Sequence, residues 1–316
     1  MSTEKKKKTQ QDDKKSYDLP YKQMFSNLTF FRQLLETFVP QEFVKEIDFD
    51  SCKKIDKSFV SKKYDKTESD IIYEVKLKNK ESVYIYILLE FQSTVDKFMA
   101  VRMLNYITNL YIDMISSSRK KDNKRIEMLP PVFPLLLYNG DKNWTAKTNI
   151  NELIENKHLL GKYSINFQYF KIIEKSYSKK RLLKIKNLIS NLFLFDTKLD
   201  ELEDFLLNKE LSELFDSEED KIAISLLINY FNYMLIDDKM NEGKYDLLNK
   251  VYYDTKEVKT MFSTVVKKER EKNKNEGKIE RNTEIAKNMI KEGLDIKLIA
   301  KITGLSIKEI EKLSEL

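Results

Sequence analysis

Three residues in the first third of the chain have types and spacing that suit hydrolytic chemistry. Asp70 begins one alternating apolar segment, and Glu90 and Gln92 end the next one. Two carboxylates that lie close together repel each other unless one is protonated or a cation lies between them. Carboxylate oxygens with room for water are the ligands that Mg²⁺ prefers. Asp70 and Glu90 are therefore candidate metal ligands, with Gln92 as a hydrogen-bonding group beside them.

Strict alternation predicts that residues 69–93 form a β-hairpin. The odd-numbered positions are apolar throughout 71–77 and 83–91, with a turn at 78–81. Pairing that is symmetric about residue 80 places Asp70 directly opposite Glu90, with Cβ atoms about 4.5–5.5 Å apart. A shift of one residue would pair odd with even positions and bury the polar face.

The same two carboxylates have a second interpretation, as exposed groups on a solvated polar face. Tyr84, Tyr86 and Leu88 share that face and make it too apolar to be open to bulk water. A carboxylate beside such a surface is costly unless it has a function. This favours the metal site.

The composition excludes several other kinds of active site. The six Gly residues are spread so that no two lie within ten residues, which excludes a Walker loop and a dinucleotide-binding fingerprint. Cys52 and His158 are the only residues of their types, which excludes a disulfide framework, His-based zinc sites and His-dependent triads. The remaining chemistry belongs to carboxylates, Lys, Arg, amides and a hard metal.

Charge is unevenly distributed along a chain whose net charge is +6. Residues 171–187 hold seven Lys or Arg and one Glu, whereas residues 196–220 hold eleven Asp or Glu and two Lys. The first segment could bind a polyanion, with Lys175, Lys179, Lys180, Arg181 and Lys184 as candidate nucleic-acid contacts. The alternative is that both segments are solvated helix faces.

The N-terminal residues 1–16 are basic, with no apolar segment behind them, and we expect a disordered tail rather than a secretory signal. No stretch approaches 18 apolar residues, so no membrane partner is expected. With a single Cys and no export signal, the expected compartment is the cytoplasm.

The predicted elements divide the chain into an α/β part and a helical part. We expect a helix over Tyr21–Thr37, strands within Cys52–Tyr64, the hairpin, a helix over Thr94–Ser116 and a strand at Val132–Tyr138. The α/β core therefore covers 17–145. A helical extension follows over 146–266, and then a charged linker or helix over 267–282.

The last segment, 283–316, has the pattern of a compact helical hairpin with helix-turn-helix spacing around Ala300, Gly304 and Ser306. The second helix carries Glu309 and two further Glu residues, whereas a helix that reads DNA is normally not acidic. We therefore favour assembly, as a homodimer through this helical C-terminal region, over DNA reading.

Several motifs resemble those of one known family. Asp70 followed by Glu90-Phe91-Gln92 is similar to the core of PD-(D/E)XK nucleases, with Gln in place of the usual Lys. Asp18-Leu-Pro-Tyr-Lys22-Gln-Met-Phe25, the string at Leu88–Tyr106 and the string at Leu129–Trp144 resemble the Rpn family of recombination-promoting nucleases, which are YhgA-like transposases by name. The C-terminal segment also resembles the tail of such proteins.

The resemblance implies a fold and an active site. The fold would be an α/β (α+β) restriction-endonuclease-like core, with a mixed β-sheet flanked by helices and an all-helical C-terminal extension. Asp70 and Glu90 would bind Mg²⁺ or Mn²⁺, which activates water and stabilises charge on the scissile phosphate. Gln92 would occupy the position of the catalytic Lys, but it can only orient water or phosphate by hydrogen bonds.

Three further residues are accessory candidates. Asp18 and Lys22 match the first family motif, and their alternative roles are helix capping and a surface charge. Arg102 lies on a mostly apolar helix face, where it either snorkels or reaches toward the phosphate. Asp96, near the start of that helix, is interpreted as a residue that complements the helix dipole, with Thr94 as the cap.

Together these observations predict a metal-dependent DNA endonuclease that hydrolyses phosphodiester bonds with little sequence specificity. The alternative is a catalytically weak or inactive nuclease-fold module that acts in DNA binding or protein interaction. The joint presence of Asp70, Glu90 and Gln92 favours the enzyme.

Overall fold

The computed structural model describes residues 20–55, 70–79, 81–90, 95–121, 126–140, 142–197, 220–236 and 250–314. The chain divides into two compact units. The first contains residues 1–231 and 240–253, and the second contains residues 232–239 and 254–316.

The first unit is built on a five-stranded mixed sheet, whose strands lie in the order β1-β2-β3-β4-β5. The strands are β1 (Ile47–Lys54), β2 (Asp70–Leu77), β3 (Ser82–Glu90), β4 (Val132–Tyr138) and β5 (Phe170–Ile173). β2 is antiparallel to both β1 and β3, whereas β3, β4 and β5 run parallel to one another. A mixed sheet with flanking helices confirms the predicted fold class.

Two strands depart from the sequence-based expectation. The strand predicted within Cys52–Tyr64 begins earlier, at Ile47, and the described part of it ends at Lys54. β5 lies within the segment predicted to be helical, so the sheet continues beyond residue 145, where the α/β core was expected to end. Four residues are too few to show an alternating pattern, which is why this strand was missed.

The hairpin of β2 and β3 forms as predicted, but its register differs by two residues. Asp70 pairs with Leu88, and Lys76 pairs with Ser82, so the hairpin is centred on residue 79. The Leu77 N–H donates to the Glu81 carbonyl at 2.8 Å, and the Asn79 side-chain oxygen accepts from the Glu81 N–H at 3.0 Å. This tight loop makes the turn shorter than expected.

The described segments contain ten α-helices. They are α1 (20–25), α2 (Leu28–Phe38), α3 (Glu42–Lys45), α4 (Met99–Lys121), α5 (Lys179–Ile185), α6 (Leu188–Thr197), α7 (Lys221–Ile236), α8 (Thr255–Lys291), α9 (Ile296–Thr303) and α10 (Ile307–Ser314). The single helix predicted over Tyr21–Thr37 is interrupted, because the Asn27 side chain accepts hydrogen bonds from the Thr29 and Phe30 N–H groups and starts a new helix.

Helices cover both faces of the sheet. On the face of the odd-numbered β2 and β3 residues, the Tyr73 ring stacks on Phe31 of α2 at 3.9 Å, and its hydroxyl donates to the Phe25 carbonyl of α1. On the even-numbered face, Ile72 and Tyr86 form one buried cluster with Met99 and Met103 of α4. Each fully buried apolar side chain of this kind contributes about 1.5–3 kcal/mol.

A buried acidic network ties α1, α6 and α7 to the end of β5. The Tyr21 hydroxyl lies 3.1 Å from both Glu174 oxygens and also donates to Asp196, which accepts from the Tyr230 hydroxyl at 2.7 Å. Burial, and then the neighbouring Asp196, raise the pKa of Glu174 well above its ordinary value. The raised pKa favours the protonated form of Glu174, which removes the repulsion between the two buried carboxylates.

In the second unit, the end of α8 packs with α9 and α10 around Ala286, Ile299 and Ile310. The segment 267–282, expected to be a linker or helix, lies inside α8. The predicted hairpin forms, with Gly304 in a left-handed conformation at the end of α9. Ser306 and Glu309 form a capping box, because each accepts a hydrogen bond from the other's backbone N–H.

We predict that Asp196→Asn changes the pH dependence of stability. Burial raises the pKa of Asp196 to about 6, so the folded chain binds its proton more tightly than the unfolded chain does. The contribution of this group is complete below the unfolded pKa of about 3.9 and is lost as the pH rises through about 6. The wild type should therefore lose stability relative to Asp196→Asn across that window.

Urea unfolding at a series of pH values measures this difference. Glu155→Gln, at an exposed carboxyl, is the control and should track the wild type. A wild type that gains stability relative to Asp196→Asn as the pH rises would contradict a raised pKa.

Candidate functional site

The backbone places positions 70 and 90 on the sheet face that α4 covers. Residues alternate between faces along a strand, and both positions share the parity of Tyr86, which lies against α4. Glu90 pairs with Tyr138 of β4, at the end where both parallel strands finish. The side chains of Asp70 and Glu90 lie outside the described part of the structure, as do Gln92, Asp18 and Thr94.

The observed register makes positions 70 and 90 diagonal neighbours rather than direct partners. Asp70 pairs with Leu88, two residues before Glu90 on the same face. Diagonal neighbours in an antiparallel pair are about 7–8 Å apart, compared with the 4.5–5.5 Å of direct partners. Mg²⁺ binds carboxylate oxygens at about 2.0–2.1 Å and keeps several waters. The diagonal spacing therefore leaves more room for a hydrated cation than the predicted arrangement.

The start of α4 brings two charged groups over this face. The Asp96 side chain accepts from the Phe98 N–H at 2.8 Å, so Asp96 supports the turn that leads into α4, whereas Thr94, the predicted cap, lies outside the described residues. Arg102 Nη1 lies 3.9 Å from Asp96, and Arg102 Nε donates to the Tyr106 hydroxyl at 3.0 Å. The Tyr106 ring stacks on Tyr86 with 5.9 Å between centroids. Arg102 therefore lies above the face that carries positions 70 and 90.

The indole N–H of Trp144 and the hydroxyl of Tyr169 are two buried polar groups near this end of the sheet. Neither makes a hydrogen bond of good geometry, although the Trp144 N–H lies close enough to act as a donor that lowers the pKa of Tyr169. Burial is the largest cause that raises this pKa, to about 12, and the nearby Asp96 also raises it. The Trp144 ring contacts Tyr138, the neighbour of Glu90, with 4.8 Å between centroids.

The strand β5 adds a cation that sequence reasoning missed. Lys171 pairs with Leu136, so it lies on the same face as positions 70 and 90, and it is exposed. Two strand spacings of about 4.8 Å separate β5 from β3. The only sequence signal for β5 was the short apolar segment Phe170–Ile173, most of which falls within the segment 171–187 that was interpreted as a basic surface.

The other predicted residues lie elsewhere in the first unit. Lys22 is half-buried on α1, whose contacts are with the opposite face of the sheet. Lys175, Lys180, Arg181 and Lys184 are exposed around α5, and Lys179 is half-buried. Arg181 lies over the Tyr177 ring at 4.8 Å. The basic candidates thus lie on and around α5, the helix that follows the end of β5.

Asp70 and Glu90 offer carboxylate oxygens as ligands, and these are the ligands that suit Mg²⁺ or Mn²⁺. Among the side chains that the structure describes, no group of three or more His, Cys, Asp or Glu could hold a metal ion. The side chains of Asp70 and Glu90 are not among those described, so this finding does not bear on a metal site at positions 70 and 90. None of the helices in the described segments has the length and apolar character needed to cross a membrane.

Two family models match the chain. The model described as "Putative transposase, YhgA-like" matches residues 15–225, which is more than half of the 316 residues. The model described as "Rpn/YhgA-like nuclease family, C-terminal HTH domain" matches residues 280–315. The second match agrees with the helix-turn-helix spacing predicted for the C-terminal hairpin. No solved structure matches the chain.

The chain is also similar to curated proteins of Escherichia coli. It is 30% identical over 127 residues to recombination-promoting nuclease RpnD of strain O157:H7, covering 40% of this chain and 46% of that protein. It is 28% identical over 110 residues to the inactive recombination-promoting nuclease-like protein RpnE of strain K12, covering 35% and 34%. The matches thus span a third to a half of the length of these two relatives.

We predict that Asp96→Ala destabilises the first unit and that Asp96→Asn does not. Loss of this acceptor leaves the Phe98 N–H, in the turn before α4, without its hydrogen bond, at a cost of about 0.5–1.5 kcal/mol, whereas Asn offers the same side-chain oxygen. The long contact of Asp96 with Arg102 is partly exposed, and pairs of this kind contribute little. Urea denaturation at neutral pH measures both variants, and equal destabilisation by the two would contradict this role of the Asp96 oxygen.

Proposed function

The chain belongs to the YhgA-like family of Rpn recombination-promoting nuclease proteins, and we propose from this that it is a metal-dependent DNA endonuclease with a PD-(D/E)XK core. The observation that carries the proposal is the placement of positions 70 and 90 on one sheet face, as diagonal neighbours on adjacent strands. Two carboxylates at this spacing provide a site for a hydrated divalent cation.

Asp70 and Glu90 would hold the cation through their carboxylate oxygens. When bound, the cation supplies charge that polarises a phosphoryl oxygen and lowers the pKa of a water molecule. The two residues would also orient the phosphate, because the cation that they hold is fixed relative to the sheet. Removal of either carboxylate should therefore weaken both binding of the cation and cleavage.

Neighbouring residues would position the phosphate and compensate for the missing lysine. Gln92 is neutral and can only donate or accept hydrogen bonds. Arg102 lies over the same face at the start of α4, and Lys171 lies on the same face of β5. A bound phosphate oxygen or a water molecule would give the Trp144 N–H and the Tyr169 hydroxyl a better-aligned partner than they give each other.

DNA is the proposed partner for two separate surfaces. The exposed cations around α5 would contact phosphates without reading sequence. The C-terminal hairpin belongs to the helix-turn-helix class, a class that places a helix in the major groove. Glu309 is engaged in the capping box, so it is a weaker argument against DNA binding than the sequence suggested. Assembly through this region remains the alternative role for the hairpin.

A second function is favoured by the names of the relatives. RpnE is named inactive, and so is YjiP of strain K12, to which the chain is 32% identical over 90 residues, covering 28% of this chain and 86% of that protein. Gln92 also lacks the positive charge of the usual lysine. A nuclease-fold module that binds DNA or protein without cleaving is therefore the competing proposal.

We predict that purified protein nicks supercoiled plasmid in Mg²⁺ or Mn²⁺ and not in EDTA. Asp70→Asn and Glu90→Gln should each lower the rate at least about 100-fold, which corresponds to about 2.7 kcal/mol of transition-state stabilisation. Both substitutions keep the size of the side chain and remove its charge. The measurement is the initial rate of nicking at fixed metal concentration.

Glu74→Gln is the matched control, because Glu74 lies on β2 and shares the face of position 70. Its rate should stay near that of the wild type. Cleavage that survives in both Asp70→Asn and Glu90→Gln would exclude this site. A folded wild type that binds DNA but never cleaves it would favour the non-catalytic module.

We further predict that Lys180→Gln combined with Lys184→Gln weakens DNA binding uniformly across sequences. Each lost phosphate contact should reduce the slope of log K against log salt concentration by about 0.9 for duplex DNA. Titration of a labelled duplex at several salt concentrations measures the slope. Lys157→Gln with Lys162→Gln, at exposed positions outside the basic segment, is the control. An unchanged slope in the Lys180 and Lys184 variant would remove this segment from the interface.

A further inference from the structure

Of the phenylalanines that the structure describes, Phe98 alone has an exposed side chain. It lies in the turn that leads into α4, and it is 61% exposed. No aromatic ring among the described residues stacks on it. A single exposed apolar side chain is common on protein surfaces, so the meaning of Phe98 depends on where it lies and how firmly it is held.

Hydrogen bonds hold the backbone of Phe98 on both sides. Its N–H donates to the Asp96 side chain at 2.8 Å. Its carbonyl accepts from the Val101 N–H at 2.9 Å and from the Arg102 N–H at 3.1 Å. The next residue, Met99, is buried in the cluster that packs on the sheet. The ring is therefore presented to solvent from a fixed backbone, which lowers the entropy that a ligand must remove when it binds.

Phe98 lies at the edge of the proposed cleavage site. The hydrogen bond from the Arg102 N–H shows that helical geometry extends back to Phe98. Residues four apart on a helix are neighbours, with Cβ atoms about 5–6 Å apart, so Phe98 lies one turn before Arg102 on the same side. Arg102 lies above the face of positions 70 and 90, and the exposed Lys97 precedes Phe98 directly. An exposed ring thus lies between two cations beside this face.

An aromatic ring beside cations is the combination with which proteins bind single-stranded nucleic acid. The cations follow the backbone, and the rings stack on bases. We propose that Phe98 stacks on an unpaired base next to the phosphate that is cut, so that the substrate of this site is single-stranded or locally unpaired DNA. This inference rests on the proposed nuclease function and adds the class of DNA on which it acts.

The energies favour single strands over a relaxed duplex. Stacking of a base on an aromatic side chain contributes about 1–3 kcal/mol. In a duplex both faces of each base are already stacked, and freeing one base costs a few kcal/mol. A duplex therefore loses at least as much as Phe98 returns, whereas a base in a single strand is available. Loops, ends and the open regions of negatively supercoiled DNA share this advantage.

Binding of the full chain in EDTA tests the stacking without cleavage. The probes are a single strand of thymidines and a strand of equal length that lacks every base. Both keep their phosphates, so the wild type should bind the thymidine strand about tenfold more tightly because of stacking alone. Phe98→Ala should lose this difference, and Phe98→Trp should keep it. Ile112→Ala is the matched control, because Ile112 is 51% exposed on α4 and lies about four turns from Phe98.

Cleavage in Mg²⁺ tests the class of DNA. The wild type should cut single-stranded DNA faster than duplex, and negatively supercoiled plasmid faster than relaxed plasmid of the same sequence. Phe98→Ala should lower kcat/KM for the single strand about tenfold, because the lost stacking is a transition-state contact as well as a binding contact. Asp70→Asn should abolish cleavage of every substrate and leave the preference for the thymidine strand in EDTA unchanged.

Equal affinity of the wild type for the two strands would overturn the proposal, and so would a preference that Phe98→Ala retains. Faster cleavage of relaxed duplex than of single strands would also overturn it. A folded wild type that cuts no DNA would contradict the proposed nuclease function instead, and the binding comparison would still decide the role of Phe98. Circular dichroism establishes that each variant is folded, which the exposure of both substituted positions leads us to expect.

Discussion

The register of β3 between β2 and β4 is the constraint on which the candidate site depends. β3 is antiparallel to one neighbour and parallel to the other, so its end coincides with the end of β4 and with the start of β2. Position 90 therefore lies beside Tyr138 on one side and diagonal to position 70 on the other. A shift by one residue would move both positions to the opposite face, against α1 and α2.

The helix α4 links the sheet to the rest of the proposed activity. Its buried side covers Tyr86 and Ile72, Asp96 supports the turn that leads into it, and Arg102 lies in its first turn over the face of positions 70 and 90. One helix thus closes this face of the sheet and positions a cation near the proposed site.

The sequence predicted those features that local patterns determine. The strand at Val132–Tyr138 has the expected bounds because an apolar run lies between a Pro-Pro pair and Asn139-Gly140. The alternating pattern of the hairpin correctly predicted which residues share a face of the sheet. It could not distinguish a turn centred on residue 79 from one centred on residue 80, because both pair even-numbered positions with even-numbered ones. The hydrogen bond to the Asn79 side chain favours the turn centred on residue 79. Glu174 and Asp196 were assigned to a basic and an acidic surface, because no local pattern shows that tertiary packing buries their carboxyls together.

The most direct test is a crystal structure of the wild type soaked with Mn²⁺, with anomalous diffraction used to locate the ion. We predict a peak within coordination distance, about 2.0–2.6 Å, of carboxylate oxygens from both Asp70 and Glu90, with Asp70 paired to Leu88 in the hairpin. A peak that contacts neither carboxylate, or an occupied site elsewhere with none on this face, would contradict the assignment of these residues as the metal ligands of a nuclease.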